Sequence, residues 1–146
     1  MRAPLRVLFL CTGNTCRSQM AEGILRRIGG DRYEVFSAGF RPSGRVHPLA
    51  IQAMDEFGQD ISKYRSKSLE EFAGQSFDYV ITLCAGEDSC PSLPDAVNRL
   101  GWSFDDPVRA QGNDEEKLKV FRRVRDEMVG CLRLFAYATL GRGKKG

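Results

Sequence analysis

The chain has 146 residues, the size of one ordinary domain, and its 42% hydrophobic and 28% charged residues are typical of soluble globular proteins. This composition excludes a disordered or collagen-like chain, and the apolar runs are too short for a membrane-spanning helix. The formal net charge of +3 fits an anionic ligand and does not call for nucleic acid. We expect one domain over residues 1–140, a basic disordered tail at 141–146 and no membrane anchor.

The first half of the chain predicts two alternating strands and helices. Arg6–Leu10 is a compact apolar run of strand formers, and residues 19–28 carry apolar side chains at helical spacing. Tyr33–Ser37 predicts a second strand. After a turn-rich stretch, a helix begins at Pro48 and ends near Gly58.

The second half predicts a short helical turn at Ser68–Phe72, a strand at Phe77–Leu83 and another around Leu100–Phe104. Residues Asp114–Leu140 form a long amphipathic pattern that predicts the last helix. This alternation is typical of an α/β domain with a parallel sheet and helices on both faces.

The five cysteines are unusual in a chain with one histidine. An odd number does not suit a secreted disulfide framework, so we expect reactive thiols or a metal site, and a cytoplasmic location. Chemically active residues follow three of the predicted strands: residues 11–18, then Cys84 and Cys90, then Asp105 and Asp106. Ligands of parallel α/β sheets bind beyond the carboxyl ends of the strands, where the strand order reverses.

The segment after the first strand has the parts of an oxyanion-binding loop. Gly13 and Asn14 tolerate positive φ, which lets successive backbone N–H groups face one anion. Arg17 adds a bidentate fork, and a helix N-terminus favours negative charge and the thiolate form of Cys11. The predicted oxyanion-binding residues are Thr12, Gly13, Asn14, Thr15, Cys16, Arg17 and Ser18, with Cys16 assigned to packing rather than catalysis.

Residues 7–23 resemble the opening of the arsenate reductases that are built on the low-molecular-weight tyrosine phosphatase fold. Short matches extend the resemblance along the chain, at Ser37–Gly39, His47-Pro48, Ile81–Cys84, Cys90-Pro91 and Trp102–Pro107. The resemblance implies a three-layer fold with a central four-stranded parallel sheet, order 2-1-3-4, flanked by helices.

The resemblance also implies a thiol relay. Cys11 attacks arsenate, Asp106 protonates the departing hydroxyl, and Cys84 then attacks Cys11 so that arsenite leaves. Cys90 next attacks Cys84, and thioredoxin reduces the resulting Cys84–Cys90 disulfide. Five residues separate this pair, one fewer than in the family members we consider typical.

Other residues receive structural assignments. Sequence physics leaves open which of the adjacent aspartates is the acid; the family pattern favours Asp106, and we assign Asp105 to capping the next turn. His47 is predicted to be structural or helix-capping, and Cys131 to pack in the core.

The resemblance bears on cofactors and partners as well. Some family members hold potassium with residues that match Asn14, Glu22, Ser37 and an aspartate, but Lys67 stands at the position of that aspartate. We therefore expect no potassium and a Lys67 ammonium beside Glu22. We expect a monomer without bound cofactors that binds arsenate, with phosphate and sulfate as competitors, and meets thioredoxin, but neither nucleic acid nor a membrane.

Two alternative functions remain open. A phosphotyrosine phosphatase would use Cys11, Arg17 and Asp106, although its family usually carries aromatic residues after the Asp-Pro pair, where this chain has Val108. A zinc-binding module would use Cys11, Cys16, Cys84 and Cys90, at spacings wider than most structural zinc sites.

Overall fold

The computed structural model describes residues 3–83 and 95–143, with side chains described as far as residue 140. The strands are β1 (Leu5–Cys11), β2 (Tyr33–Gly39), β3 (Ser76–Thr82) and β4 (Asp95–Gly101). The α-helices are α1 (Arg17–Gly29), α2 (Pro48–Phe57) and α3 (Asp114–Gly143). Short 3-10 helices are formed by Gly30–Arg32, Leu69–Phe72 and Pro107–Arg109. Cys84 and Cys90 lie outside the described residues.

The four strands form one parallel sheet in the order β2-β1-β3-β4, which confirms the predicted fold class and strand order. β1 lies in the interior of the sheet, and residues Val7 to Leu10 are buried on both faces. The strand order reverses between β1 and β3, so the carboxyl ends of these two strands mark the predicted ligand-binding edge.

The larger core covers the face of the sheet that carries Val7, Phe9 and Ile81. All three α-helices pack there because each presents an apolar stripe at helical spacing. The buried side chains of α1 and α2 in this core include Met20, Ile24, Leu25, Ala50, Ala53 and Met54, and those of α3 include Leu118, Phe121, Val124, Met128, Leu132 and Phe135.

The opposite face carries Leu8, Leu10 and Val80, since alternate residues of a strand point to opposite sides. Among the described residues, the 3-10 helix Leu69–Phe72 covers this face and buries Phe72 against it. The side chain of Ser68 caps this helix by accepting the N–H of Glu70.

The fourth strand was predicted in the wrong place. It spans Asp95–Gly101 rather than the region of Leu100–Phe104. Among the residues that the structure describes, β4 pairs only with β3, and it is largely exposed, with Val97 79% accessible. No apolar run therefore marks it in the sequence. An edge strand of this kind obtains its conformation from the ladder with its neighbour rather than from burial.

The remaining boundaries differ from the predictions by a few residues. α1 begins at Arg17, two residues before Gln19, and α3 continues to Gly143, beyond the predicted end at Leu140. Gly58 ends α2 in the left-handed region with φ 94°, as a C-terminal glycine cap requires. Within residues 3–83 and 95–143, no helix combines the length and apolarity needed to cross a membrane.

Candidate active site

The loop between β1 and α1 sits at the point where the strand order reverses. The carbonyl oxygens of Thr12, Gly13 and Thr15 accept N–H groups of the segment that follows β2, at 2.8–2.9 Å. Asn14 has φ 50°, the left-handed conformation expected for this type of loop. A Cβ on Gly39 would lie 2.7 Å from the carbonyl oxygen of Thr12, so only glycine allows β2 to approach the loop this closely.

Asn14 is the centre of a buried hydrogen-bond network, in which the orientation of its side-chain amide can be assigned. Its Oδ1 accepts the backbone N–H of Lys67 at 2.8 Å, so its Nδ2 must be the donor. The two Nδ2 hydrogens reach the hydroxyl oxygens of Ser18, at 2.7 Å, and Ser37, at 3.0 Å. The hydroxyl hydrogen of Ser18 is then free to point at Sγ of Cys11, 2.8 Å away.

This network places a potential hydrogen-bond donor beside the sulfur of Cys11. Sulfur in a thiolate is an acceptor, and the Ser18 hydroxyl has a hydrogen available for it. The Cys11 side chain is 2% exposed and lies at the end of β1, beside the N-terminus of α1. The positive end of the α1 dipole acts in the same direction as the Ser18 hydroxyl.

A buried charge cluster supports the network from behind. Ser37 donates to Oε1 of Glu22, and Nζ of Lys67 lies 4.0 Å from the same oxygen and 3.4 Å from Oγ of Ser37. Arg26 pairs with the other Glu22 oxygen at 2.6 Å. The Lys67 ammonium therefore stands beside Glu22, as the sequence predicted.

Burial dominates the titration of this cluster. It raises the pKa of Glu22, although the Ser37 hydrogen bond and the charges of Arg26 and Lys67 act in the opposite direction. Burial also lowers the pKa of Lys67, against the attraction of Glu22. Each ion thus depends on its partner to remain charged in the interior.

Arg17 is buried and only partly satisfied. Its Nη1 donates to the carbonyl oxygens of Phe104, at 3.1 Å, and Leu83, at 3.4 Å. These carbonyls belong to the segments that follow β4 and β3, and they hold the guanidinium in place. Its Nη2 lies 3.6 Å from Oδ2 of Asp106. Its Nε is buried without a hydrogen-bond partner among the described residues. A buried charged donor without an acceptor is costly, and an oxyanion beside it would supply the missing bond.

The two adjacent aspartates have different partners in the structure. Oδ1 of Asp106 accepts the N–H of Val108 at 3.1 Å, so Asp106 caps the 3-10 helix Pro107–Arg109 while its carboxylate faces Arg17. Asp105 instead pairs with Arg123 of α3 at 3.0 Å. The assignment of the capping role to Asp105 was wrong. Proline at the following position holds Asp106 extended, and the same geometry lets its side chain reach the helix N–H.

Cys16 lies close to the site as a neutral thiol. Its Sγ is 3.8 Å from Oδ1 of Asp106, and its side chain is 2% exposed. Burial, with negative charge at Cys11 and Asp106 adding to it, raises the pKa of the Cys16 thiol far above its usual value. A buried neutral thiol is a poor nucleophile.

His47 and Cys131 have the structural positions that the sequence suggested. Nδ1 of His47 accepts the N–H of Leu49 at 3.1 Å and caps α2, and its ring packs on Phe121 with centroids 4.9 Å apart. Burial and the nearby charges of Arg45 and Lys117 lower the pKa of His47. Cys131 is half-buried and packs against the larger core.

Of the predicted catalytic residues, the structure brings together Cys11, Arg17 and Asp106. Cys84 and Cys90 fall outside the described residues, which leaves the relay and the zinc alternative as predictions. Within residues 3–83 and 95–143, no three histidine, cysteine, aspartate or glutamate side chains are grouped to hold a metal ion.

Sequence reasoning missed two parts of the site. One is Gln19, whose Nε2 lies 2.9 Å from Oδ1 of Asn14 and 2.9 Å from the carbonyl oxygen of Arg65 and so ties the loop to the segment before Lys67. The other is the pair of main-chain carbonyls that hold Arg17. Carbonyl groups carry no sequence signal, whereas the position of Gln19 directly after the anion loop could have drawn attention to it.

The chain is similar to known proteins in both sequence and structure. The model of the low molecular weight phosphotyrosine protein phosphatase family matches residues 6–145. An arsenate reductase of Halalkalibacterium halodurans is 49% identical over 131 residues, which are 89% of this chain and 94% of the relative. The solved structure of an arsenate reductase in the phosphate binding state is 35% identical with a TM-score of 0.78, over 92% of this chain and 98% of that one. The thioredoxin-dependent arsenate reductase of Corynebacterium glutamicum is 30% identical with a TM-score of 0.61, over 92% of this chain and 65% of that one.

Proposed function

Because this chain belongs to the low molecular weight phosphotyrosine protein phosphatase family and, within it, to the arsenate reductases, we propose that it reduces arsenate to arsenite with Cys11 as the nucleophile. The observation that carries the assignment is the contact of the Cys11 sulfur with the Ser18 hydroxyl, in the same loop-to-helix segment that carries the buried, unpartnered Nε of Arg17. Together they offer a thiolate and an anion clamp in one place.

The first step is the attack of the Cys11 thiolate on arsenic. The loop N–H groups and the Arg17 guanidinium hold the arsenate oxygens, and Asp106 supplies the proton with which one hydroxyl leaves as water. Asp106 supports this role by its position, since its carboxylate lies 3.6 Å from Arg17 at the mouth of the loop.

The second step transfers two electrons to arsenic. The Cys84 thiolate attacks the Cys11 sulfur, the sulfur–arsenic bond breaks, and its electron pair leaves with arsenite as As(III). Cys90 then attacks Cys84, which frees Cys11 and leaves a Cys84–Cys90 disulfide. The two extra thiols, for which phosphate ester hydrolysis has no use, support this relay.

The disulfide needs an external dithiol, and we propose thioredoxin. The likeness to a thioredoxin-dependent arsenate reductase supports this choice. We place the enzyme in the cytoplasm, where thioredoxin keeps thiols reduced, and propose that it acts as a monomer without a bound cofactor.

Phosphatase activity is the second candidate, because Cys11, Arg17 and Asp106 would serve it equally well and the matching family model is that of a phosphatase. The thiols distinguish the two reactions. A phosphatase cycle regenerates Cys11 with water and does not involve Cys84 or Cys90.

The deciding experiment follows NADPH oxidation by the reduced protein with arsenate, thioredoxin and thioredoxin reductase. Cys84→Ser and Cys90→Ser should each stop turnover yet leave hydrolysis of p-nitrophenyl phosphate unchanged, and Cys11→Ser should abolish both. Cys131→Ser is the matched control and should cycle normally. Turnover that survives in Cys84→Ser or Cys90→Ser would remove that thiol from the relay.

A further inference from the structure

The free side of the Arg17 fork is already in contact with a carboxylate. In a guanidinium, Nε–H and one Nη2–H point to the same side and form a two-pronged fork for an oxyanion. Nη1 of Arg17 is held by the carbonyls of Leu83 and Phe104, so the Nε–Nη2 side is the one left for a ligand. Nε has no partner among the described residues, but Nη2 faces Oδ2 of Asp106 at 3.6 Å.

An arriving oxyanion therefore meets Asp106 at the same nitrogen. Two ionised oxygens cannot share that position without repulsion, because like charges at contact distance in a buried site strongly oppose one another. Either the carboxylate gives up its contact with Nη2, or a proton lies between the carboxylate and the anion.

We propose that oxyanion binding to Arg17 displaces the Arg17–Asp106 ion pair and is coupled to the uptake of a proton by Asp106. In the empty site the Asp106 carboxylate is ion-paired with Arg17. The anion takes over the guanidinium, and Asp106 is protonated from solvent as it turns toward the bound oxygens. The acid is then loaded only when a substrate is present. This inference rests on the oxyanion site of the proposed function.

The groups around Asp106 are compatible with this switch. Its own 3-10 helix supplies the Val108 N–H at Oδ1 and the Arg109 guanidinium 3.9 Å from Oδ2. The loop supplies the neutral Cys16 thiol, and the N-cap of α2 supplies His47, whose charge is coupled to that of Asp106. Arg109 is 71% exposed at its side chain, so water screens its pull on the carboxylate and Arg17 remains the dominant cation.

The test uses sulfate, because this oxyanion does not change its own protonation near neutral pH. Sulfate is titrated calorimetrically into reduced Cys11→Ser protein in buffers of different ionisation enthalpy, which reports protons taken up without interference from the Cys11 thiol. We expect net uptake that approaches one proton per sulfate at the pH of maximal coupling. Over that range the sulfate Kd should rise by up to about tenfold per pH unit, as linkage requires.

Two further variants test which residue takes up the proton. Uptake should vanish, and the sulfate Kd should become independent of pH, in Cys11→Ser/Asp106→Asn. It should persist in Cys11→Ser/His47→Asn, in which asparagine can still cap α2. Sulfate binding without proton uptake in Cys11→Ser, or uptake that disappears with His47 instead, would overturn the coupling while leaving the oxyanion site intact. Failure of sulfate to bind to Cys11→Ser at any pH would overturn the oxyanion site itself.

Discussion

The hydroxyl of Ser18 lies 2.8 Å from the sulfur of Cys11 and accepts a hydrogen bond from Nδ2 of Asn14, which leaves its own hydrogen available to that sulfur. The amide of Asn14 is in turn fixed by the backbone N–H of Lys67. A main-chain group more than fifty positions away thus orients the amide that binds the Ser18 hydroxyl. The geometry of the nucleophile depends on a connection that only the folded chain provides.

Removal of this hydrogen bond should weaken catalysis without unfolding the protein. Ser18→Ala loses a charge-assisted hydrogen bond of about 1.5–3 kcal/mol to the thiolate, so kcat/KM for arsenate should fall by roughly tenfold to a hundredfold. Alkylation of Cys11 by iodoacetamide should also require a higher pH.

The control for Ser18→Ala is Ser43→Ala. Ser43 is an exposed serine of the neighbouring segment whose hydroxyl bonds locally to the backbone of Arg45, two residues away. This variant should keep the parent rate and the parent alkylation profile. An unchanged pH profile in Ser18→Ala would show that the hydroxyl does not stabilise the thiolate.

Lys67 should make the protein indifferent to potassium. Its ammonium lies beside Glu22 and Ser37, so the parent should show the same Tm in potassium and sodium salts. Lys67→Asp places a second carboxylate beside Glu22, and the repulsion should be relieved by a bound cation. We expect this variant to melt at a lower temperature than the parent and to be stabilised selectively by potassium in thermal denaturation.

Lys63→Asp is the charge-matched control, because Lys63 is an exposed lysine four residues earlier. It should show no selective response to potassium. A potassium-dependent Tm in the parent, or none in Lys67→Asp, would mean that the ammonium does not stand in for a cation.

His47 should destabilise the fold at acidic pH. Its pKa in the folded state is lowered by burial and by Arg45 and Lys117, so the unfolded chain binds the proton more readily. Well above the pKa of His47 in the unfolded chain, near 6.5, its titration does not change the free energy of unfolding. As the pH falls from there through the lower pKa of the folded state, its titration reduces that free energy. His47→Asn should lose less stability than the parent between about pH 7.5 and about pH 5.5 in urea denaturation.

The same prediction has a direct check, because His47 is the only histidine in the chain. Its ring proton resonances should titrate without overlap and give a midpoint below the value of the unfolded protein. A midpoint at or above the unfolded value would contradict the predicted sign.

Cys16 should be chemically inert in the folded protein. Burial raises the pKa of the Cys16 thiol and keeps it protonated at about pH 8, so iodoacetamide should modify Cys11 and leave Cys16 unmodified until denaturant is added. Peptide mass mapping distinguishes the two positions. Modification of Cys16 at the rate of Cys11 in native protein would refute its assignment as a buried neutral thiol.

The α/β class, the anion loop and its nucleophile could all be predicted from the amino-acid sequence. The pattern that marks them is local: a buried strand, residues with special backbone freedom, and a helix whose N-terminus carries Arg17. The helix that begins at Pro48 was equally predictable, because Pro48 and Gly58 mark its two ends. Local signals of this kind can be recognised without knowledge of the rest of the chain.

The groups that surround the loop became known only from the folded chain. β4 was misplaced because an exposed edge strand has no apolar run, and its ladder with β3 is visible only after folding. Of the two adjacent aspartates, Asp106 faces Arg17 and caps a 3-10 helix, whereas Asp105 pairs with Arg123 of α3. The Leu83 and Phe104 carbonyls that hold Arg17 belong to the main chain, which is the same in every sequence. Contacts between distant segments therefore complete a site whose chemistry begins in eight consecutive residues.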